Sequence, residues 1–302
     1  MSQPPPLRIP VQVAWQGRTV ESILRQEFNF SRRQIISLKK NNGIFLNDQP
    51  VLAKSRVHGG EELLVRFPVP APQDLIAEEI ALSILYEDAD LLIVNKPSGM
   101  LVHPVRFHPT GTLANALAYH WQKTDATATF HPVHRLDQPT SGLLLIAKSS
   151  WAHQQLSLQL KKGKMRRLYL AVTDGIPPAN SGIITAPIKR APTGIKRIIA
   201  ADGQTAATRY RLLTRSDRAA LLLVKLITGR THQIRVHLAH LGTALWGDPL
   251  YGRADGSFSR PALHAAILSF FHPRHHNRLK FRAPLPPDLE NKSRQLGLTS
   301  LL

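Results

Sequence analysis

The stretch His131-Pro132-Val133-His134-Arg135-Leu136-Asp137-Gln138-Pro139-Thr140-Ser141-Gly142 gathers residues that can do chemistry. Gln138-Pro139 forbids a regular helix through it, so Asp137 must lie on a loop. The apolar run Leu143 to Ala147 that follows reads as a short strand buried on both faces. Three readings of Asp137 are open. An Asp beside Pro and Gly is most often a solvated turn residue. Flanked by Arg135 and two histidines, it would instead be held ionised by cations, as a nucleophile or base must be. A third reading takes His131, His134 and Asp137, three apart, as metal ligands; Pro132 and Pro139 break the helix that would bring them to one face, which argues against it.

A second reactive pattern is Gly229-Arg230-Thr231-His232-Gln233-Ile234-Arg235-Val236-His237-Leu238. Thr231 is expected to cap a helix in which Ile234, Leu238 and Leu241 pack inward and Arg235 takes another side. An arginine there can offer a carboxylate two parallel hydrogen bonds, and the helix N-terminus favours an anion. Taken alone, the pattern reads as a surface arginine and a core histidine. In Met165 to Thr173 the alternation puts Leu168, Leu170 and Val172 on one strand face. Arg167, Tyr169 and Ala171 take the other, so Tyr169 points away from the apolar row.

The elements that must position these residues follow from the flanking sequence. Leu91 to Val94 is another doubly buried strand, ending at Asn95-Lys96-Pro97-Ser98-Gly99. A helix is expected from Thr112 to about Trp121 and a second, capped by Ser149 or Ser150, to about Leu160. Thr208 to Leu213 and Leu221 to Ile227 read as strands paired antiparallel across Ser216-Asp217-Arg218. Upstream, Thr19 caps a short helix carrying Val20, Ile23, Leu24 and Phe28, and another helix begins near Ser31. On it Arg32 and Arg33 recur as Lys39 and Lys40 two turns later, which makes one basic face. Ile44 to Leu46, a turn at Asn47-Asp48 and a strand from Leu63 to Phe67 complete this unit. The alternating prolines of Pro68 to Gln73 then make a semi-rigid spacer.

The 302 residues suffice for two domains, and 43% apolar with 20% charged is ordinary globular composition. Met1 to Pro10 has no apolar leader core, and no run approaches the roughly 18 uncharged apolar residues of a membrane span. A cytoplasmic protein with no membrane partner is expected. No cysteine is present, which excludes disulfide scaffolds and thiolate chemistry. The net charge of +19 is concentrated in residues 151 to 302, with 24 basic against 7 acidic residues. A field of that sign selects polyanions, RNA first.

His134-Arg135-Leu136-Asp137-x-x-Thr140-Ser141-Gly142 resembles the catalytic signature of the RluA-type RNA pseudouridine synthases. The blocks Asn95-Lys96-Pro97-x-Gly99, Gly229 to His237 and Gly247-Asp248-x-x-Tyr251-Gly252 resemble other blocks of that family in the same order. Residues 12 to 67 are similar to the small S-four-type RNA-binding domain. The resemblance covers residues 12 to about 285. It implies an α+β fold, a mixed, largely antiparallel central sheet flanked by helices with a cleft across its middle, and a small α/β N-terminal RNA-binding domain. The division would be 12–67, a Pro-rich linker over 68–78, and a catalytic domain over 79–290. By this similarity Asp137 is the catalytic carboxylate, acting as nucleophile or base, and Arg235 pairs with it. Tyr169 stacks on the extracted uracil and helps remove its C5 proton, and Arg135 probes the space the base vacates. His134 and Arg230 are pocket supports, and Arg32, Arg33, Lys39 and Lys40 dock RNA. The implied reaction converts uridine to pseudouridine without metal or cofactor, in a monomer, with large-subunit ribosomal RNA favoured as substrate and transfer RNA as the alternative. An RNA-binding or chaperone protein without chemistry would need only the cations.

Overall fold

The computed structural model describes residues 5–69, 73–124, 127–253, 256 and 258–298. Residues 70–72 of the expected polyproline spacer lie outside that set. The chain opens with a four-stranded antiparallel sheet made of β1 (Leu7–Pro10), β2 (Ile44–Leu46), β3 (Gln49–Pro50) and β4 (Glu62–Val65), ordered β1-β4-β2-β3. Asn47 and Asp48 both take left-handed backbone, φ 45° and 61°, as a two-residue hairpin turn requires. Two helices cover the sheet. The first, α1 (Val20–Gln26), is capped by Thr19, whose hydroxyl accepts the Ser22 N–H. The second, α2 (Arg32–Lys40), starts from a reciprocal capping box between Ser31 and Gln34.

The second sheet has ten strands: β5 (Ile84–Glu87), β6 (Leu91–Lys96), β7 (His131–Pro132), β8 (Ser141–Ala147), β9 (Arg166–Asp174), β10 (Ser181–Thr185), then, beyond the separate two-stranded hairpin of β11 (Ile188–Arg190) and β12 (Arg197–Ile199), β13 (Ala207–Arg215), β14 (Ala219–Leu226), β15 (Leu263–Phe271) and β16 (Arg278–Arg282). Its main path runs β10-β13-β14-β9-β15-β8-β6-β5. β8 and β15 are parallel, while the other pairings in this sheet are antiparallel, so the mixed, largely antiparallel sheet expected from the sequence is present. Helices α3 (Leu113–Lys123), α4 (Ser150–Lys161), α5 (Gln233–His240) and α6 (Pro287–Gln295) flank it. None of the described helices is long and apolar enough to cross a membrane.

Both faces of strands β6 and β8 in this sheet are buried, which explains the uninterrupted apolar runs. Leu92, Val94, Leu144 and Ile146 meet Leu113, Leu117 and Trp121 of α3 on one side. Their alternates Leu91, Ile93, Leu143 and Leu145 meet Trp151 and Leu156 of α4 on the other. Tyr169 therefore points into a second apolar layer, not away from the core. The first sheet joins this body along α4. Trp151 packs against Phe30 and Phe67, Gln155 donates to the Phe28 carbonyl at 2.7 Å, and Arg274 fixes Asp90 bidentately and reaches the Pro6 carbonyl.

Gly142 sits where β8 and β15 run parallel, at φ 112°. A Cβ there would stand 2.6 Å from Ala265 N and 2.8 Å from Ala265 C, and closer still to its carbonyl oxygen. Gly142→Ala must therefore strain the backbone and push the two strands apart. We expect a loss of about 3 kcal/mol or more, read as a lower denaturant midpoint at unchanged slope. A variant as stable as the parent would show that the strands do not approach this closely.

Candidate active site

Asp137 stands on the loop that enters β8, and the backbone of that loop is fixed from the end of β6. Thr140 N–H closes a turn onto the Asp137 carbonyl at 3.0 Å. Gly99, left-handed at φ 87°, donates to the Gln138 carbonyl at 2.9 Å, and Gln138 returns a side-chain bond to the Gly99 carbonyl at 3.0 Å. Ser98 donates to Pro139. Beneath the loop Lys96, fully buried, gives its Nζ protons to the carbonyls of Pro97, Met100 and Gln138. Burial pushes this amine down to about 7, against the opposing pull of the Asp137 charge. The Asn95–Gly99 block thus serves as a clamp for the carboxylate's loop. Asp137 itself is about one-quarter exposed, and its carboxylate forms no hydrogen bond with any described residue.

Arg235 comes from α5, whose first residues are buried all round. The residue is 2% exposed. It pairs with Asp137 only at the outer limit, Nη1 to Oδ2 at 4.0 Å. Its principal partner is Asp248: Nε donates to Oδ2 and Nη2 to Oδ1, both at 2.7 Å. Burial works against the Arg235 charge, but those bonds and the two carboxylates outweigh it, so the group stays cationic. Tyr251 lies 5.1 Å under the guanidinium and holds His232 by a 2.9 Å bond. Sequence reasoning gave Asp248 and Tyr251 no role, although the block Gly247 to Gly252 was the signal. The expected cap at Thr231 is corrected: His232, left-handed at φ 58°, occupies the cap position without a side-chain bond. Gln233 ties the helix start down, accepting from Arg230 N and Thr228 Oγ1 and donating to Ala207 and Thr208.

The histidines are not the cationic partners expected for Asp137. His134 is buried with neither ring nitrogen bonded, and burial, then Arg167, pull it down to about 3. His131 is lowered to about 4 by burial and the neighbouring His153 and His103, and it bonds Thr129 instead. Both are neutral at pH 7, and His134 lines the cleft that Asp137 opens onto. Among the described residues the group close enough to share a metal ion is Asp88, Asp90 and His272. Its atoms are already bonded to Tyr86, Arg274 and one another.

Asp137, Arg135, Arg230, Tyr169 and Arg235 line one small cavity of about 50 Å³. It shares Asp137, Arg135 and Arg230 with an adjoining cleft of about 680 Å³. The walls come from the loop that enters β8, from β9, β14 and β15 in the middle of the sheet, and from the start of α5. Arg135 is exposed and reaches Thr231 at 3.5 Å; Arg230 is exposed and holds the Thr205 carbonyl at 3.1 Å. Burial raises Tyr169, which keeps it a neutral phenol. A larger cavity, about 940 Å³, lies between α2 and α4, away from Asp137. Arg33 lines it, while Arg32, Lys39 and Lys40 share the exposed face of α2. Lys39 is engaged by Glu21 at 2.6 Å.

Residues 90–240 match the family model described as RNA pseudouridylate synthase, and residues 7–63 match the RluD ribosomal pseudouridine synthase N-terminal domain. A Bacillus subtilis protein called uncharacterized RNA pseudouridine synthase YjbO is 40% identical, over 87% of this chain and 94% of its own. The Pseudomonas aeruginosa ribosomal large subunit pseudouridine synthase D is 36% identical, over 95% and 92%. Among solved structures, human RNA pseudouridylate synthase domain containing 4 shares the fold with a TM-score of 0.60 at 23% identity, over 71% of this chain and 93% of that one. These likenesses run through the Asp137 loop and the Arg235 helix alike, and the chain accordingly belongs to the RNA pseudouridylate synthases, enzymes that isomerise uridine in RNA.

Proposed function

We propose that this enzyme acts on uridines of large-subunit ribosomal RNA, with Asp137 as its one reacting carboxylate and with no metal or cofactor. The observation that carries the chemistry is an unbonded carboxylate at the mouth of a cleft, with a fixed guanidinium 4.0 Å away and a neutral phenol in the same cavity. The isomerisation breaks the bond from ribose to base nitrogen and rejoins the same base through carbon. The C5 hydrogen leaves as a proton and N1 takes one up, so the formula is unchanged and no oxidant or hydrolytic water is required.

Chemistry on a base requires it to leave the stack. The 50 Å³ cavity is far below the roughly 300 Å³ of ordinary ligand sites and has room for a few waters. Arg135, exposed and held by one long bond, is the wall that swings as uracil enters. Tyr169 then stacks on the base. Asp137 acts on the sugar, as nucleophile or as base, while Arg235 keeps a positive charge beside it. As a neutral phenol Tyr169 positions the ring, and it can help take the C5 proton only by passing its own hydroxyl proton to another acceptor.

The ribosomal substrate is supported by the N-terminal match and by the Pseudomonas relative's name. The test is tritium release from C5-labelled ribosomal and transfer RNA made in a strain lacking the gene, with pseudouridine mapping in both. Release from ribosomal RNA is expected. Release confined to transfer RNA would move the substrate, and none from either would refute the assignment.

The face of α2 is the docking surface in this reading. Changing Arg32, Arg33, Lys39 and Lys40 to Ala is expected to weaken RNA binding at every sequence. The slope of log K against log salt should flatten by roughly 0.7–0.9 for each phosphate that is no longer neutralised. Lys39, already paired with Glu21, should matter least. An unchanged slope would remove α2 from the interface.

A further inference from the structure

Arg167 is a buried cation that nothing so far described uses. It lies on β9 two residues before Tyr169, on the same face, and is 7% exposed. Among the described residues it forms no ion pair or hydrogen bond, and its Nε is buried without any partner. A charge taken out of water is ordinarily paired, because an unpaired one forfeits its hydration for nothing. Arg235, Arg260 and Arg274 in this chain all obey that rule, each holding a carboxylate bidentately.

Three features say what completes Arg167. It lines the 680 Å³ cleft beside the reacting carboxylate, together with Arg135, Lys161 and Arg230; among the described residues the one acid there is Asp137. Its outer edge faces Gly229: a Cβ at 229 would stand 3.2 Å from Nη1 and 3.5 Å from Nη2, so the missing side chain leaves the guanidinium uncovered. His134 beside it is neutral and offers no negative charge. We infer that Arg167 binds one backbone phosphate of the RNA, that of the flipped uridine or its immediate neighbour. Two residues along a strand span roughly 6.6 Å, so a phosphate on Arg167 lies within a nucleotide of the ring on Tyr169. A guanidinium suits this role because its fork meets two phosphate oxygens at once. The phosphate would anchor the extruded nucleotide by its backbone while the base turns into the small cavity. This role rests on the uridine-isomerising reading but not on which RNA is modified.

The test compares the dinucleotide UpU with its uncharged methylphosphonate analogue, titrated into the full chain. The parent should bind UpU about tenfold or more tightly than the analogue, and Arg167→Gln should bind both alike. Gly229→Ala, which covers the guanidinium without removing its charge, should lose the same preference. If Arg167→Gln weakens both ligands equally, or lowers turnover while the preference for UpU persists, the residue acts on Tyr169 and the inference fails. If neither dinucleotide binds measurably, the salt dependence of kcat/KM on ribosomal RNA decides. The Arg167→Gln slope should fall by roughly 0.7, and an unchanged slope overturns the phosphate site. Absence of tritium release from the parent would instead count against the enzymatic reading, leaving the UpU comparison intact.

Discussion

Asp137→Asn is expected to retain its fold and its affinity for RNA while losing turnover by a factor on the order of 10⁴ or more. The carboxamide has the size of the carboxylate but neither its charge nor its nucleophilicity, and removal of a group on which the whole reaction turns is not made good by its neighbours. Folding should be spared because the side chain forms no hydrogen bond, and the loop is held through the backbone by Gly99, Ser98 and Lys96. Affinity for RNA should hold or rise slightly, since one negative charge leaves a cleft otherwise lined by Arg135, Lys161, Arg167 and Arg230. The measurements are tritium release, a thermal melt and filter binding on the same preparation. Turnover above about one-hundredth of the parent's, with melt and binding unchanged, would remove Asp137 from the chemistry. A parallel fall in melt and turnover would show instead that the loop depends on the charge.

How far the sequence foretold this site differs from residue to residue, for physical reasons. Leu91 to Val94 and Leu143 to Ala147 were legible because only a strand buried on both faces tolerates such runs, and the two prove to be neighbours in register. The cap at Thr19, the helix start near Ser31 and a cap at Ser149 or Ser150 were legible because hydroxyls there can satisfy orphan N–H groups locally, and Thr19, Ser31 and Ser149 are the caps. Leu263–Phe271 escaped notice: this central strand is interrupted by His264 and Ser269, both buried, so neither alternation nor a clean apolar run marks it. β1 escaped for another reason, since a short edge strand ending in proline has little signature. The left-handed turn at His232 could not be read from Thr231, because any cap-forming residue suggests a helix start there. The charge states of His131 and His134 depend on burial by distant segments, which local spacing does not encode.

The deepest gap was the partner of Arg235. Family likeness paired it with Asp137, but the short bonds go to Asp248, which is fully buried. Thirteen residues and an irregular turn separate the two, a distance over which periodicity carries no information. The consequence is a chain of fixation: the Leu250 and Tyr251 N–H groups hold Asp248, Asp248 holds Arg235, and Arg235 presents its remaining Nη1 toward Asp137. The guanidinium is thus aimed before RNA arrives, and in the proposed role of Asp137 no reorganisation is needed as charge changes on its carboxylate.

Asp248→Asn breaks that chain at its most buried link. The amide oxygen can still accept the Leu250 and Tyr251 N–H groups, but the charge that balances the buried Arg235 guanidinium is gone. A buried pair that loses one member leaves an uncompensated ion, and the expected cost is about 3–5 kcal/mol. At this chain size that lowers the melting midpoint by on the order of 10 °C. Turnover should fall as well, because Arg235 is then drawn fully onto Asp137 and quenches the oxygen that must react. Pairing the change with Arg235→Met separates the two effects. With neither ion left inside, most of the stability should return, since a well-packed apolar group replaces a buried pair at little cost. Activity should not return, because Asp137 then has no guanidinium beside it. If the single variant melts like the parent, Asp248 is not what carries Arg235. If the double variant recovers turnover along with stability, the guanidinium has no part in the reaction, and the 4.0 Å approach to Asp137 is a by-product of packing.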